Sequence, residues 1–142
     1  MSGFKYKSKE NRESGELLRR NNSYNTSIHC YYYSALQFLK YTLTNIFDKT
    51  YRTLEKECKA RQYPQTSHDF YISYIKNNKK SLEDNEELGN FILTIKKLKE
   101  LRNIADYQED DIERSDAENA EKLADKSKEY LIKNESSWKK KK

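Results

Sequence analysis

The sequence predicts an all-α fold, and three observations carry that reading. Three Gly and one Pro in 142 residues are too few to supply the repeated turns of an all-β chain. Apolar residues recur at alternating steps of three and four, the spacing of one helical face. Cap-like residues (Asn, Ser, Asp) stand just ahead of these periodic runs.

The first helix is expected over Lys9–Arg20, polar and able to fray, with Leu17 and Leu18 as its apolar contribution. Asn21, Asn22 and Ser23 read as a break followed by an N-cap. The central helix begins near Tyr24. Its stripe is Ile28, Tyr32, Ala35, Leu39, Thr42 and Ile46, widened by Leu36, Leu43 and Phe47. It either stops near Asp48 or runs on through Leu54 and Cys58. RQYPQTS is a loop broken by Pro64, after which Ser67 caps a short helix carrying Phe70, Tyr71, Tyr74 and Ile75. Asp84 and Glu87 open the next helix, whose stripe is Leu88, Phe91, Ile92, Ile95 and Leu98. QEDDIER is an acidic loop. Ser115 and Glu118 form an S-x-x-E box for a thin last helix lined by Ala117, Ala120, Leu123, Ala124, Ser127, Tyr130 and Leu131. The sum is an up-and-down bundle of four to five helices in one domain over residues 1–138. A disordered basic tail is expected at 139–142.

Composition narrows the function classes. Apolar residues make up 35% and charged residues 36%, which suits thin, striped helices whose burial a partner completes. Twelve tyrosines suit half-buried positions and interfaces, since the ring buries while the hydroxyl stays wet. The net charge is +5, but the last four lysines supply four of those charges, so the body is not a basic nucleic-acid clamp by charge alone. Cys30 and Cys58 make no C-x-x-C pair, and two histidines are too few for a zinc cluster with them; both read as reduced thiols. No metal or other cofactor is expected. MSGFKYKSKENR has no apolar run and no stretch is long enough to span a bilayer, so a cytoplasmic protein with no membrane partner is expected.

One short segment carries chemistry. In LRNIADYQ, helical projection from Leu88 places Arg102 at ~320° and Asp106 at ~0°, both within the apolar stripe; Asn103 and Tyr107 flank them at ~60° and ~100°. A solvated charge run would sit on the outer face with Lys96, Lys97 and Glu100. A buried arginine needs a partner, and Asp106 is one turn on. The plain reading is an ion pair that fixes a helix end. The functional reading is an anion site: a guanidinium beside an amide and a phenol suits a phosphate. The two are compatible.

Four segments in order resemble the HEPN superfamily (higher-eukaryote and prokaryote nucleotide-binding), in its small single-domain prokaryotic branch. NNSYNTSIHCYYYSALQFLKYTL resembles its A-x-x-R/C-x-Y-Y-A helix. TSHDFYISYI is similar to its S-H helix start, LKELRNIADYQ to its L-x-x-x-R-x-x-A-D-Y motif, and SDAENAEKLADKSKEYL to its Ala-rich last helix. Together they cover roughly Leu17 to Ile132. The resemblance implies a helical bundle, usually a homodimer, with a site near the Arg motif. It implies RNA or nucleotide binding in a toxin–antitoxin or defence setting, in some members as metal-independent endoribonucleases. In others the module is an inactive partner encoded with a nucleotidyltransferase.

This chain departs from the ribonuclease branches. Where their histidine follows the arginine, it has Tyr107, Gln108 and Glu109. Histidine suits both proton jobs of RNA cleavage, whereas tyrosine near ~10 and aspartate near ~3.9 are poorly matched to neutral pH. The expectation is therefore a non-catalytic or weakly nucleolytic module, with Arg102, Asn103, Asp106 and Tyr107 forming the ligand site; the alternative outside nucleic-acid chemistry is a protein-interaction module in which the Arg102–Asp106 pair is purely structural. If it cleaves RNA, Arg102, His68 and Tyr107 are the candidate catalytic groups. Of the two histidines, His68 at a helix start is favoured over His29 on the central helix. Tyr31, Tyr32 and Tyr33 read as packing rather than base stacking, because neighbours on a helix point apart. The acidic loop and the basic tail read as solvated.

Overall fold

The computed structural model describes residues 3–45, 50, 52–53, 55–56, 69, 71–73, 75, 85–108 and 111–139, without the side chains of 85 and 136–139. These residues form an all-α bundle with no strand among them. The four long helices are α1 (Gly3–Arg20), α2 (Tyr24–Asn45), α3 (Asn85–Tyr107) and α4 (Arg114–Lys139). Residues 71–73 are also helical, and Tyr71, Ile72 and Ile75 are buried. No helix of the described residues is long and apolar enough to cross a membrane.

α2 packs against α1, α3 and α4, and α4 also meets α1 and α3. Side-chain pairings give the directions. Ser8 meets Ser34 while Arg19 meets Tyr31, so α1 and α2 are antiparallel. His29 meets Asp106 while Arg102 lies over Tyr33, so α2 and α3 are antiparallel. Tyr31 meets Glu121 while Ser34 meets Lys128, so α2 and α4 run parallel. The α2–α4 pair is thus flanked by α1 on one side and α3 on the other.

The α2 stripe is as expected: Ile28, Tyr32, Ala35, Leu36, Leu39, Thr42 and Leu43 are all buried, and Ile46 and Phe47 lie outside the described residues. α3 buries Leu88, Phe91, Ile95 and Leu98, with Ile92 half-buried beside them. Every residue of the thin α4 stripe is buried, its alanines allowing close approach, and Tyr130 stacks on Phe91 at 4.5 Å. The break before α2 is a left-handed turn at Asn22 (φ 64°), after which the Ser23 carbonyl accepts the first bond of α2 from Ser27 N–H at 3.0 Å.

Three boundaries differ from expectation. α1 starts at Gly3, not Lys9, and its anchors are polar. Ser8 and Ser34 exchange hydroxyl-to-carbonyl bonds at 2.6 and 2.8 Å, and Lys128 Nζ donates to Ser34 Oγ at 2.8 Å. Arg12 reaches Asp125, and Leu17 is 62% exposed, so Leu17 is not the contact foreseen. At the start of α4 the Asp116 carboxylate accepts from the Glu113 N–H at 2.9 Å, one arm of a capping box that lies two residues ahead of Ser115–Glu118. α4 also continues through Trp138 to Lys139, so the first residue of the tail expected to be disordered is helical; residues 140–142 lie outside the described set, as do Asp48, Leu54, Cys58, Pro64, Ser67, Phe70, Tyr74 and Asp84.

α1 is clamped at its C-terminal half by a charged cluster. Glu121 Oε2 accepts from the Tyr31 hydroxyl at 2.7 Å and from Arg19 Nε at 3.3 Å, with Arg12 at 3.6 Å from Oε1. Burial pushes the Glu121 carboxyl up, but the Tyr31 bond and the two arginines more than offset this and hold it below the usual carboxylate range. Gly15 lets α1 lie against the Tyr31 ring, since a Cβ there would sit 2.7 Å from Tyr31 Cε1.

Two outcomes follow from this packing. Gly15→Ala gains about 1 kcal/mol of helix propensity, but it overpacks a fully buried ring held at its hydroxyl, at a cost of roughly 1–3 kcal/mol. Urea unfolding will show a net loss of about 1 kcal/mol by that balance, and a gain would mean that the ring is free to move. Burial holds the Tyr31 and Tyr32 phenols at about 12, above the ordinary value of 10.0. The unfolded chain then releases these protons before the folded one does. Their contribution is complete below pH 10 and is lost as pH rises towards 12. Alkaline titration followed by tyrosinate absorbance and circular dichroism will show stability falling through this window, less steeply in Tyr31→Phe.

Candidate functional site

The α3 helix extends far enough to carry the Arg102 segment in helical register, and its apolar stripe brings Arg102 and Asp106 to the face that meets α2. The antiparallel run of α2 sets His29, Tyr32 and Tyr33 opposite them. The last turn of α3 is fixed from α2: Asn25 Nδ2 donates to the Ala105 carbonyl at 3.1 Å, satisfying an acceptor that a helix end leaves open.

Arg102 lies among tyrosine rings. Its guanidinium carbon is 4.9 Å from the Tyr32 ring centre, 5.6 Å from Tyr107 and 5.9 Å from Tyr33. Such contacts are worth ~0.5–2 kcal/mol, more as water is excluded. Nη1 donates to the Tyr107 hydroxyl at 3.3 Å. The side chain is 14% exposed, yet Nε is buried with no hydrogen-bond partner. Asp106 Oδ2 is 3.7 Å from Nη1, close enough for attraction but too far for a hydrogen bond. Burial pushes the guanidinium's pKa down, and the phenols of Tyr33, Tyr32 and Tyr107 together with Asp106 more than restore it, so Arg102 stays charged.

The tight partner of Asp106 is a different residue. His29 Nδ1 lies 2.8 Å from Asp106 Oδ2, the same oxygen that faces Arg102. The His29 ring is 4.6 Å from Tyr33, and its side chain is 45% exposed. In this pair the Nδ1–H donates and the carboxylate accepts, which orients the imidazole ring.

The structure therefore brings together Arg102, Asp106 and Tyr107, as the sequence suggested, and adds His29, Tyr32 and Tyr33. Asn103 is half-buried, and among the described residues no side-chain hydrogen bond joins it to the group. His68 lies outside the described residues. Tyr31 points away, into the Glu121 cluster. The helix start favours His68 over His29 in the sequence; the partner of His29 stands 77 residues along the chain, and the available signal is that His29 and Tyr33, at i and i+4, share one face of α2. No group of three or more metal-ligating side chains occurs among the described residues. An open groove of about 540 Å³ lies elsewhere, between α3 and α4, lined by residues including Phe91, Leu93, Lys97, Lys126 and Lys133, and none of the Arg102 group lines it.

No protein-family model, curated protein or solved structure matches the chain.

The geometry sets the stability cost of the arginine. Arg102→Met keeps the stem that packs on the rings while removing a buried charge that has no hydrogen-bonded carboxylate. The lost cation–π attraction and the removed burial cost oppose each other, so unfolding free energy will change by less than about 2 kcal/mol. A loss of 3 kcal/mol or more, on the order of breaking a buried pair, would mark Arg102 as a structural keystone.

Proposed function

We propose that the chain is a HEPN-like helical module that binds RNA or a nucleotide by its phosphate, with Arg102 as the anion receptor. One observation carries this reading: Arg102 is held among three tyrosine rings with part of its side chain still open, while the neighbouring carboxylate is beyond hydrogen-bond reach. An arginine kept only to lock a helix end would spend its donors on Asp106. Here Asp106 bonds His29 instead, and the guanidinium keeps donor capacity for phosphate oxygens, which match its planar fork. The rings restrict the arginine in advance, reducing the entropy lost when a ligand binds. His29 and Tyr107, both exposed beside it, complete the binding surface.

The HEPN resemblance adds a homodimer, a toxin–antitoxin or defence setting and a nucleotidyltransferase-type partner to the proposal. The binding reading does not depend on these.

The test is fluorescence anisotropy with a labelled single-stranded RNA. A charge-assisted bond is worth ~1.5–3 kcal/mol, so Arg102→Ala will weaken binding by roughly 10- to 100-fold at fixed salt, with unchanged helical circular dichroism. The slope of log affinity against log salt will fall by about one. Equal affinity in a folded Arg102→Ala protein would overturn the proposal.

A further inference from the structure

We infer that this chain associates with copies of itself: the outer stripe of α1 in one copy seats in the groove between α3 and α4 of another. The inference stands apart from the phosphate-binding reading, because no residue of the Arg102 group lies on either surface. It also differs from a two-fold pair, since the two contacting surfaces are not the same.

α1 presents two stripes of the same period. Ser8, Arg12, Gly15 and Arg19 face the bundle and meet Ser34, Asp125, Tyr31 and Glu121. Tyr6, Glu10, Glu13 and Leu17 each stand two residues earlier, which at ~100° per residue puts them on the opposite face. All four are exposed, Tyr6 at 52% and Leu17 at 62%, so this stripe does nothing to hold α1 in place. Glu10 takes the hydroxyl of Tyr6 beside it. Glu13 has no ion pair among the described residues. A helix of a folded chain ordinarily turns its large apolar side chains inward; α1 leaves a tyrosine and a leucine outside, with two carboxylates between them.

The receiving surface is the open groove of about 540 Å³ between α3 and α4. The stacked rings of Phe91 and Tyr130 lie at its base, and Leu93, 50% exposed, stands on its α3 wall. Lys97 lines it from α3 and Lys126 from α4, and neither has an ion pair among the described residues. Lys133, at the other end, is already paired with Glu87 at 3.2 Å. Against the two free cations the groove sets one free anion, Glu129. Lengths agree as well. At ~1.5 Å per residue the stripe from Tyr6 to Leu17 is ~16 Å long, and the groove wall from Glu87 to Lys97 is ~15 Å. Two carboxylates thus meet two unpaired ammonium groups, while Leu93 and the aromatic base cover the apolar ends of the stripe. A single helix face buries less than the ~1,200 Å² of a stable interface, so the contact is weak and depends on concentration and salt. Each contact leaves one stripe and one groove unfilled, so further copies add in series or close a ring.

The experiment is analytical ultracentrifugation of the full chain over a concentration series, at low and high salt. The wild type is compared with Glu10→Lys/Glu13→Lys and with Lys97→Glu/Lys126→Glu. All four positions are exposed, so the fold persists, and circular dichroism checks it. The average mass of the wild type will rise with concentration, and salt will shrink the rise. Each double variant alone will associate at least ~10-fold more weakly, because like charges then meet across the contact. Mixed in equal amounts, the two variants will associate again, since each supplies the charges that the other has reversed. Loss of fold could not be rescued in this way. A wild-type mass that stays constant over the series overturns the inference, as do variants that associate like the wild type or a mixture no better than its parts. A constant mass together with weakened RNA binding by Lys97→Glu/Lys126→Glu would assign the groove to RNA instead. Arg102→Ala leaves the association unchanged, so failure of the phosphate reading and failure of this inference are read separately.

Discussion

The burial of α2 on three sides at once is the constraint on which the rest of the structure depends. Successive residues on a helix point about 100° apart, so three consecutive tyrosines serve different neighbours. Tyr31 enters the cluster with Glu121 and Arg19 that clamps α1 and α4. Tyr32, 3% exposed, and Tyr33 turn instead towards α3 and flank Arg102. One short run thus fixes the bundle on one side and shapes the candidate site on the other. A shift of α2 along its axis would disturb both, which ties the geometry of the site to the integrity of the core.

The two sides solve the problem of buried charge differently. Around Glu121, Arg19 and the Tyr31 phenol hydrogen-bond one carboxylate, and Arg12 adds an ion pair at 3.6 Å. Around Arg102, aromatic faces do most of the holding. The Asp106 carboxylate beside it is bonded to His29. Quadrupole attraction from the rings adds to the bond that Nη1 makes to the Tyr107 hydroxyl. That difference is why the first cluster reads as architecture and the second as a receptor.

Much of this was legible in the sequence, and the misses have physical causes. The all-α class, the stripe of α2 and the alanine-lined face of α4 follow from periodicity, which reports burial directly. The inward placement of Arg102 and Asp106 followed from the same projection. The extent of α1 did not, because its anchors are Ser8, Arg12 and Gly15, residues whose value lies in partners on other helices. The capping box of α4 was misplaced because the observed pair is Glu113 and Asp116, residue types outside the S-x-x-E pattern, and only the bond between them reveals it. The His29–Asp106 pair was out of reach for a similar reason. Projection predicts which face a residue occupies, but pairing two faces needs the topology of the bundle.

The central claim is that Arg102 is held ready for an anion rather than used up in the fold, and its guanidinium N–H groups are the most direct reporters. In the free protein Nε is buried, Nη1 bonds the Tyr107 hydroxyl, and the side chain keeps 14% of its surface exposed. Arginine side-chain NMR on nitrogen-15-labelled protein, assigned through Arg102→Lys, can follow those resonances as single-stranded RNA is added. The account predicts a saturable shift of the Arg102 terminal guanidinium N–H resonances as phosphate oxygens become their acceptors. A resonance that stays in place while RNA binds elsewhere, or at any RNA concentration, would contradict it.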